Sequence, residues 1–317
     1  VITGDSQESI IGALKIIAAK LIGKNTADFE ELLLTIQNSV VNNTSAKAAL
    51  DIALHDLVAK SMHQPLYKFL GGGKPELKIL TTVSVKAVAE MVEDAQLFVA
   101  QGFETLKIKV GLNPAEDIQR LKAIREAVGD SINILSDANQ GWDAKSALQI
   151  IDSLAAQNLG IAMVEQPVKA WDYANLKYVR DNSRIPIYAD ESAFNLRDVS
   201  KIIQAQMADG INIKLMKSGG LYAARPIYDL ATSHNLPCMA GCMLESPIGL
   251  AAMAAFVVGK SNIKFVDLDP IAMIKSNPVI GGVRLDGATL HLSTGAGLGI
   301  ENIQGLNNPL KLNPNNI

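Results

Sequence analysis

The sequence predicts an α/β protein whose main part is a parallel barrel of the (β/α)8 type. After about residue 75, short runs of β-branched and aliphatic residues alternate with amphipathic stretches of helical period. Eight such runs can be placed, which is the number that closes a barrel of this type. The chain has 317 residues, of which 48% are hydrophobic, so it is long enough to bury a large core.

Residues 1–75 are predicted to be helical and to precede the barrel. Apolar residues recur there at i, i+3 and i+4, which predicts helices over Ser9–Leu21, Ala27–Ile36 and Ala46–Lys60. The pattern then breaks at a glycine-rich stretch that ends in proline, Gly71 to Pro75. We therefore assign residues 1–75 to a separate helical part.

The barrel is predicted over residues 76–272, and residues 273–317 form a C-terminal segment. The apolar runs that we expect to be strands are Ile79–Val85, Thr105–Val110, Ile132–Asp137, Met163–Glu165, Ile187–Asp190, Gly210–Lys214, Pro237–Ala240 and Ile263–Asp267. Helices are predicted between them, among others over Pro114–Val128, Ala144–Gln157 and Leu221–His234. This alternation is typical of βα units and a parallel sheet.

Five charged residues close successive apolar runs at regular intervals. Lys109, Asp137, Glu165, Asp190 and Lys214 are separated by 28, 28, 25 and 24 residues. One βα unit needs about that much chain. Because the carboxyl ends of barrel strands gather at one mouth, we expect these five side chains to meet there.

The three acids of this set predict a divalent metal site. Crowded carboxylates repel one another in a partly dry mouth, and a divalent cation removes that repulsion. A small all-oxygen site that leaves positions for water or substrate suits Mg²⁺. The alternative is that each acid is solvated or paired with a lysine.

Lysines flank the acids in strand order, Lys107 and Lys109 before them and Lys214 after them. This is the layout of two bases that face each other across a metal. Lys107 and Lys109 lie two residues apart on one face of a strand, so the first ammonium can lower the pKa of the second. Burial and a nearby cation are expected to favour the neutral form of a lysine in the same way. The alternative is a pair of rim lysines that protect a sheet edge, but a closed barrel has no edge.

Asp267 and Asp269 follow the last predicted strand on one face. They are too far around the barrel to be further ligands of the same ion, so we interpret them as a receptor for a cation such as a substrate ammonium. An Asp-x-Asp-Pro turn with no ligand remains the alternative.

Several classes of partner are not expected. The formal charge of −3, without a block of lysine or arginine, argues against nucleic acid. The longest apolar run, Ile248–Val258, is too short for a bilayer, and no signal pattern opens the sequence, so we expect a cytoplasmic protein. Two cysteines and four scattered histidines predict neither a disulfide framework nor a structural zinc site.

Five short motifs together resemble those of the enolase superfamily, and within it the muconate-lactonizing subgroup. They are Lys107-Ile108-Lys109, Asp137-Ala138-Asn139, Glu165-Gln166-Pro167, Asp190-Glu191-Ser192 and Ile213-Lys214. The resemblance implies a (β/α)7β-type barrel with an N-terminal capping domain, Mg²⁺ as cofactor, and lysine bases. It also places Asn139, Glu191 and Glu245 beside the ligands or bases, where such groups orient their neighbours.

Within that subgroup, Asp267-Leu268-Asp269 and the stretch Gly241 to Ser246 are similar to those of dipeptide epimerases. The resemblance implies an isomerase that inverts the α-carbon of the C-terminal residue of a dipeptide such as L-Ala-L/D-Glu. Mg²⁺ would bind the terminal carboxylate and stabilise an ene-diolate, while Lys109 and Lys214 exchange the α-proton on opposite faces. Asp267 and Asp269 would bind the substrate ammonium, with Glu245, Cys242 and Asn139 also near the substrate.

The resemblance leaves other points open. Members of the family begin with a β-rich part of the capping domain, and we expect that part to be absent from this sequence, so the side chain of the substrate is undetermined. Relatives commonly self-associate, so a homo-oligomer is expected, with a role in the metabolism of peptidoglycan peptides.

The sequence leaves two rival functions open. An o-succinylbenzoate synthase or a cycloisomerase of the same subgroup acts on substrates without an ammonium, which would leave Asp267 and Asp269 without a partner. A barrel that only binds a metal or a protein would need the predicted site residues to be relics.

Overall fold

The computed structural model of this protein describes residues 2–305 and begins with four helices. They are α1 (Gln7–Leu21), α2 (Phe29–Asn38), α3 (Thr44–Ser61) and the short α4 (Leu66–Phe69). Helix α1 begins before the predicted Ser9, because Ser6 and Ser9 form a reciprocal capping box that satisfies both backbone N–H groups. Across the described residues, no helix has the length and apolar content needed to cross a bilayer.

Eight strands and the helices between them follow. After β1 (Glu76–Lys78) the chain forms β2 (Thr81–Val83), α5 (Val88–Ala100), β3 (Thr105–Lys109), α6 (Pro114–Val128), β4 (Asn133–Asp137), α7 (Ala144–Ala156), β5 (Ile161–Glu165), α8 (Tyr173–Asn182), β6 (Ile187–Ala189), α9 (Leu196–Ala205), β7 (Gly210–Ile213), α10 (Leu215–Ser218), α11 (Leu221–Ser233), β8 (Cys238–Ala240), α12 (Pro247–Val257), β9 (Ile263–Val266) and α13 (Pro270–Met273). The alternation of the sequence is thus confirmed.

Strands β2 to β9 form one parallel sheet in chain order. A backbone hydrogen bond of 2.9 Å from Leu80 N to Val266 O joins the residue before β2 to β9, so the two ends of the curled sheet meet. The last barrel strand, β9, is followed by the four-residue α13 in place of a full barrel helix. This is the predicted (β/α)7β arrangement.

The strand ends set the positions of the charged residues. Lys109, Asp137 and Glu165 end their strands, and the parallel register pairs Lys109 with Asp137 and Asp137 with Glu165. Asp190 and Lys214 lie one residue beyond β6 and β7, where the sequence predicted the last strand residue. All five are therefore at the same end of the barrel, as expected from the spacing.

The floor of this end is apolar. Five buried residues pack together inside the barrel, namely Leu80, Leu135, Met163, Tyr188 and Met239. A Cβ atom on Gly210 would lie only 2.3 Å from Tyr188 Cζ, so glycine is required beside this ring. The larger apolar cluster lies between the strands and the outer helices. Water is thus excluded below the charged residues.

The C-terminal segment contains strands that the sequence analysis did not predict. Strands β11 (Val283–Asp286) and β12 (Thr289–Leu292) form a three-stranded antiparallel sheet with β1, and β10 (Val279–Gly281) pairs with β13 (Ile300–Ile303). The segment also contacts α3, since Leu298 N donates to Asp56 Oδ1 at 2.6 Å. Residues 306–317 of the predicted segment lie outside the described residues.

Candidate active site at the barrel mouth

Three acids from adjacent strands meet at the barrel mouth, as predicted. Asp137, Glu165 and Asp190 are each at most 1% exposed. The ammonium Nζ of Lys107 lies between two of them, 3.0 Å from Asp137 Oδ2 and 2.8 Å from Glu165 Oε2. The sequence-predicted acids are therefore brought together in one buried cluster.

Lys107 is an internal partner of these acids. Its Nζ also lies 2.9 Å from Asp267 Oδ2 on the far side of the barrel seam. Burial lowers the pKa of Lys107, but Asp137, Asp267 and Glu165 outweigh burial, so its pKa is well above the ordinary value. The predicted influence of Lys107 on Lys109 stays a prediction. In the described structure the Lys107 ammonium contacts three carboxylates.

Lys109 and Lys214 approach the acids from opposite sides. Lys109 Nζ lies 2.6 Å from Asp137 Oδ2 and 2.7 Å from Asn139 Oδ1. Lys214 Nζ lies 2.7 Å from Asp190 Oδ2. Their strands, β3 and β7, are separated by the three strands that bear the acids. The two amines therefore flank the acid cluster.

The protonation of Lys214 differs from the expectation that burial would favour a neutral amine. Burial does lower its pKa, but Asp190 and Glu165 raise it further, so the net pKa is above the ordinary value. Charge pairing in a buried environment outweighs desolvation here. In this arrangement Lys214 is an ammonium.

The acids themselves have divergent pKa values. Burial and the neighbouring Asp137 raise the pKa of Glu165 to about 7. For Asp190 burial acts in the same direction, but Lys214 and Lys217 outweigh it and hold the pKa well below the usual range. The difference follows the number of ammonium groups that touch each acid.

Sequence reasoning missed Lys217, a buried lysine on α10. Its Nζ donates to Asp190 Oδ1 at 2.5 Å, to the Asp190 carbonyl at 2.5 Å and to the Asn212 carbonyl at 2.8 Å. The Asn212 side chain in turn donates to Glu165 Oε1 at 2.8 Å. The available signal was the spacing, since a residue three positions after Lys214 on a helical turn points back toward it.

Gln166 was also missed, although it stands inside a quoted motif. Its Oε1 accepts hydrogen bonds from Asp190 N at 2.9 Å and Ser192 N at 3.1 Å. Its Nε2 donates to Val168 O at 2.9 Å. The amide thus joins the end of β5 to the end of β6 and fixes the separation of Glu165 and Asp190.

Asp267 and Asp269 lie beside the seam between β9 and β2. Asp269 Oδ2 accepts a hydrogen bond of 2.6 Å from Thr82 N, and burial together with Asp267 raises the pKa of Asp269 to about 6. Asp267 Oδ2 contacts Lys107 Nζ, and the interpretation of both acids as a receptor for a substrate ammonium stays a prediction. Oδ1 of Asp267 and Oδ1 of Asp269 each have no hydrogen bond to the described residues, while Oδ2 of each is bonded.

The remaining predicted residues surround this cluster. Asn139 accepts from Lys109 and donates to Glu191 Oε1 at 3.4 Å. Cys242 Sγ donates to the Asp267 carbonyl at 3.1 Å. Burial raises the pKa of Glu245 to about 7, and Lys214 is close enough to oppose this. Within residues 2–305, Oε2 of both Glu191 and Glu245 is buried without a hydrogen-bond partner.

The donor set fits a hard divalent cation. Three buried carboxylates on adjacent strands supply the oxygen ligands that Mg²⁺ prefers. Glu165 Oε2 has no partner with hydrogen-bond geometry in residues 2–305, although Lys107 Nζ is near. In the described structure the carboxylates turn toward ammonium groups and do not converge on a common point.

Comparison with protein families matches both parts of the chain. Residues 1–71 match the mandelate racemase/muconate lactonizing enzyme N-terminal domain, and residues 90–304 match the enolase C-terminal domain-like family. The L-Ala-D/L-Glu epimerase of Clostridium acetobutylicum is 43% identical over 95% of this chain and 85% of its own length. The hydrophobic dipeptide epimerase of Enterococcus faecalis is 38% identical over 94% of this chain and 84% of its own length.

Solved structures give the same relationship. The substrate-liganded complex of the L-Ala-D/L-Glu epimerase from Bacillus subtilis superposes with a TM-score of 0.93 at 43% identity, over 96% of this chain and 85% of that one. The E. faecalis dipeptide epimerase complexed with Mg and L-Leu-L-Tyr gives a TM-score of 0.91 at 38% identity, over 95% of this chain and 85% of that one. This chain therefore belongs to the mandelate racemase/muconate lactonizing enzyme family of the enolase superfamily.

Proposed function

We propose that this protein is a Mg²⁺-dependent dipeptide epimerase that inverts the α-carbon of the C-terminal residue. The observation that supports this most directly is the placement of Lys109 and Lys214 on opposite sides of the buried acids. Inversion by proton transfer needs one base on each face of the α-carbon. The epimerase names of relatives at 38% and 43% identity support the same reaction class.

Lys109 and Lys214 are proposed to exchange the α-proton. One lysine, in its neutral form, takes the proton from Cα, and the other, as an ammonium, delivers a proton to the opposite face. For the reverse epimer the two lysines change roles. Each amine must come within hydrogen-bond reach of the same carbon, so the α-carbon would lie between β3 and β7 above the acids.

Asp137, Glu165 and Asp190 are proposed to hold the metal. When bound there, Mg²⁺ supplies positive charge next to the substrate carboxylate, where negative charge develops as the α-proton leaves. Asn212 and Lys217 hold Glu165 and Asp190 in place through the hydrogen bonds described above. Lys107 adds a fixed buried ammonium to the same region.

The substrate ammonium is proposed to bind Asp267 and Asp269, since Oδ1 of each carboxylate has no hydrogen bond to the described residues. Oδ2 of Asp267 contacts Lys107 Nζ at 2.9 Å, which fixes the position of this carboxylate. A substrate without an ammonium, such as those of a synthase or a cycloisomerase, would leave Asp269 unpaired in a buried position. This favours the dipeptide over the rival substrates.

The proposal is tested by solvent isotope exchange with a library of L,L-dipeptides in D₂O plus Mg²⁺. An epimerase introduces deuterium at one α-position and forms the second epimer, both visible by proton NMR. The matched control is the Lys109→Ala/Lys214→Ala double variant, which removes both bases and leaves the acids. If the wild-type protein exchanges no dipeptide, or the double variant still exchanges, the proposal is wrong.

We further propose the division into residues 1–75, 76–272 and 273–317, a homo-oligomeric assembly and a cytoplasmic location. The contact of Leu298 with Asp56 supports the return of the C-terminal segment to the capping helices. Limited proteolysis would test the division, and light scattering would test the assembly.

A further inference from the structure

The turn that follows Lys214 is short and tightly hydrogen-bonded. Lys214 leads into α10, which ends at Gly219 and Gly220 before α11 begins. Both glycines have positive φ, 94° and 115°, and the Gly219 and Gly220 N–H groups donate to the Leu215 carbonyl at 2.9 and 3.0 Å. Since only five residues separate Lys214 from Gly220, a shift of the glycine turn moves the backbone of Lys214.

Asp51 of the capping helix α3 is seated on this turn. Its carboxylate accepts hydrogen bonds from Leu221 N at 2.6 Å and Tyr222 N at 3.2 Å, and so caps α11 from another part of the chain. A Cβ atom on Gly220 would lie 2.4 Å from Asp51 Cγ. A side chain at position 220 would therefore collide with the Asp51 carboxylate, so this close contact requires glycine.

Two more contacts fix the carboxylate and the turn. His55 Nδ1 lies 2.8 Å from the Asp51 carbonyl and 3.3 Å from Asp51 Oδ1. Gln37 of α2 donates from Nε2 to the Gly219 carbonyl at 2.8 Å. Asp51 and His55 are both buried. Two capping helices thus hold two successive glycines behind Lys214.

The strand of Lys109 receives no comparable support. Within residues 2–305, no hydrogen bond joins α1 to α4 with β3 or with the loop that follows β3. Lys109 instead takes its contacts from Asp137 and Asn139 of the neighbouring strand end. The capping helices are therefore coupled to one side of the mouth.

We propose that Asp51 is a positioning residue for Lys214, acting through the Gly219-Gly220 turn. Asp51 touches neither the acids nor the lysines, so its effect reaches the reaction only through the backbone of α10. The inference rests on the proposed epimerase function. It assigns the capping helices a share in placing one base.

The test uses Asp51→Asn, which keeps the size of the side chain but replaces one acceptor oxygen by an N–H donor that faces a backbone N–H. A Lys214→Ala variant first identifies the epimer that Lys109 deprotonates, because only that epimer still exchanges its α-proton with D₂O. For Asp51→Asn we expect inversion to fall roughly 10- to 100-fold, as for a displaced catalytic group. The rate at which the α-proton of the epimer deprotonated by Lys109 exchanges with D₂O should stay within about twofold of wild type.

The one-sided pattern separates positioning from a general loss of structure. A folding defect lowers exchange of both epimers equally, and that result, or unchanged inversion, would overturn the proposal. Gln37→Ala, which removes only the contact to Gly219, is expected to show the same pattern more weakly. Glu30→Gln is the matched control, since Glu30 accepts from the Tyr222 hydroxyl at 2.6 Å across the same helices but does not touch the turn.

A second readout does not depend on activity. Amide hydrogen exchange measured by mass spectrometry should rise about fivefold over residues 214–222 in Asp51→Asn, the effect of losing a helix cap. Residues 105–111 should be unchanged, and Glu30→Gln should leave both segments unchanged. Unaltered exchange over 214–222 would overturn the positioning role, whereas an inactive wild type with altered exchange would refute the epimerase function alone.

Discussion

The two sides of the barrel mouth hold their lysines in different ways. Lys109 on β3 is 26% exposed and contacts one carboxylate and one amide. Lys214 after β7 is 7% exposed, and its partner Asp190 is held from behind by Lys217. Its backbone is also linked to the capping helices through Asp51.

This difference shows that a symmetrical reaction does not need a symmetrical site. In the proposed reaction each lysine reaches the same carbon, but Lys109 is positioned by neighbouring side chains near solvent and Lys214 by a buried network. Substitutions around the partly exposed Lys109 should have small effects on stability, while the buried Lys214 depends on partners far away in the sequence. Changes on the two sides should therefore have different consequences.

The largest expected effect comes from removing either lysine. Lys109→Ala and Lys214→Ala should each lower inversion by about 10³-fold, since a positioned acid or base contributes roughly 10²- to 10⁴-fold. Each variant should keep deuterium exchange in only one epimer, and the two should retain opposite ones. Proton NMR in D₂O measures both. Full inversion in either variant would refute the two-base mechanism.

The next effect is on stability and compares Asp190 with Asp137. In buffer with EDTA, Asp190→Asn should cost about 3–5 kcal/mol in the free energy of unfolding, because Lys214 and Lys217 lose a buried partner. Asp137→Asn should cost less, about 1–2 kcal/mol, because Lys109 is partly hydrated and Lys107 keeps two other carboxylates. Urea denaturation measures both, and equal costs would contradict the asymmetry.

The Lys214 side also contains Glu245, whose effect depends on pH. Its pKa is raised from 4.5 to about 7 on folding, so the wild-type protein loses stability as pH rises from about 4.5 to 7. Glu245→Gln does not titrate, so its stability relative to wild type should increase by about 3 kcal/mol over that window. Urea denaturation without metal at pH 4.5 and pH 8 tests this. A constant difference would show that Glu245 is not buried as a neutral acid.

The smallest effect concerns Asp269, near β2 and β3 on the Lys109 side. Asp269→Asn should weaken dipeptide binding about tenfold, because a charge-assisted hydrogen bond to the substrate ammonium is lost, and should leave Mg²⁺ affinity within about twofold. Calorimetry in the Lys109→Ala/Lys214→Ala background avoids turnover. Asp286→Asn, at an exposed ion pair with Arg284, is the matched control. Equal losses of dipeptide and metal binding would assign Asp269 to the metal site.

The fold and the acids could be predicted because they depend on local patterns. Apolar runs that end in a charged residue define strand ends, and parallel strands bring those ends together whatever the helices between them. This logic placed Asp137, Glu165 and Asp190 without any knowledge of their contacts. The strands β10 to β13 were missed because three or four residues interrupted by glycine give too short a pattern.

The contacts of the lysines could not be predicted, for a different reason. Lys107 meets Asp267, which lies 160 residues away, only because the ends of the sheet close on each other. Lys217 reaches Asp190 only because α10 folds back over the end of β7. Asp51 reaches Gly220 across the two parts of the chain. Pairing of this kind depends on three-dimensional closure, which the order of residues along one strand does not contain.

The seam between the first and last barrel strands has a consequence for how ligand preference could change. Thr82 N is bonded to the Asp269 carboxylate, next to the backbone bond between Leu80 and Val266. The Asp269 carboxylate, which is proposed to bind the substrate ammonium, therefore also helps to close the barrel between β9 and β2. A substitution of Asp269 would change the ligand preference and weaken the closure of the barrel at the same time. A new preference would therefore require a compensating contact elsewhere between β2 and β9.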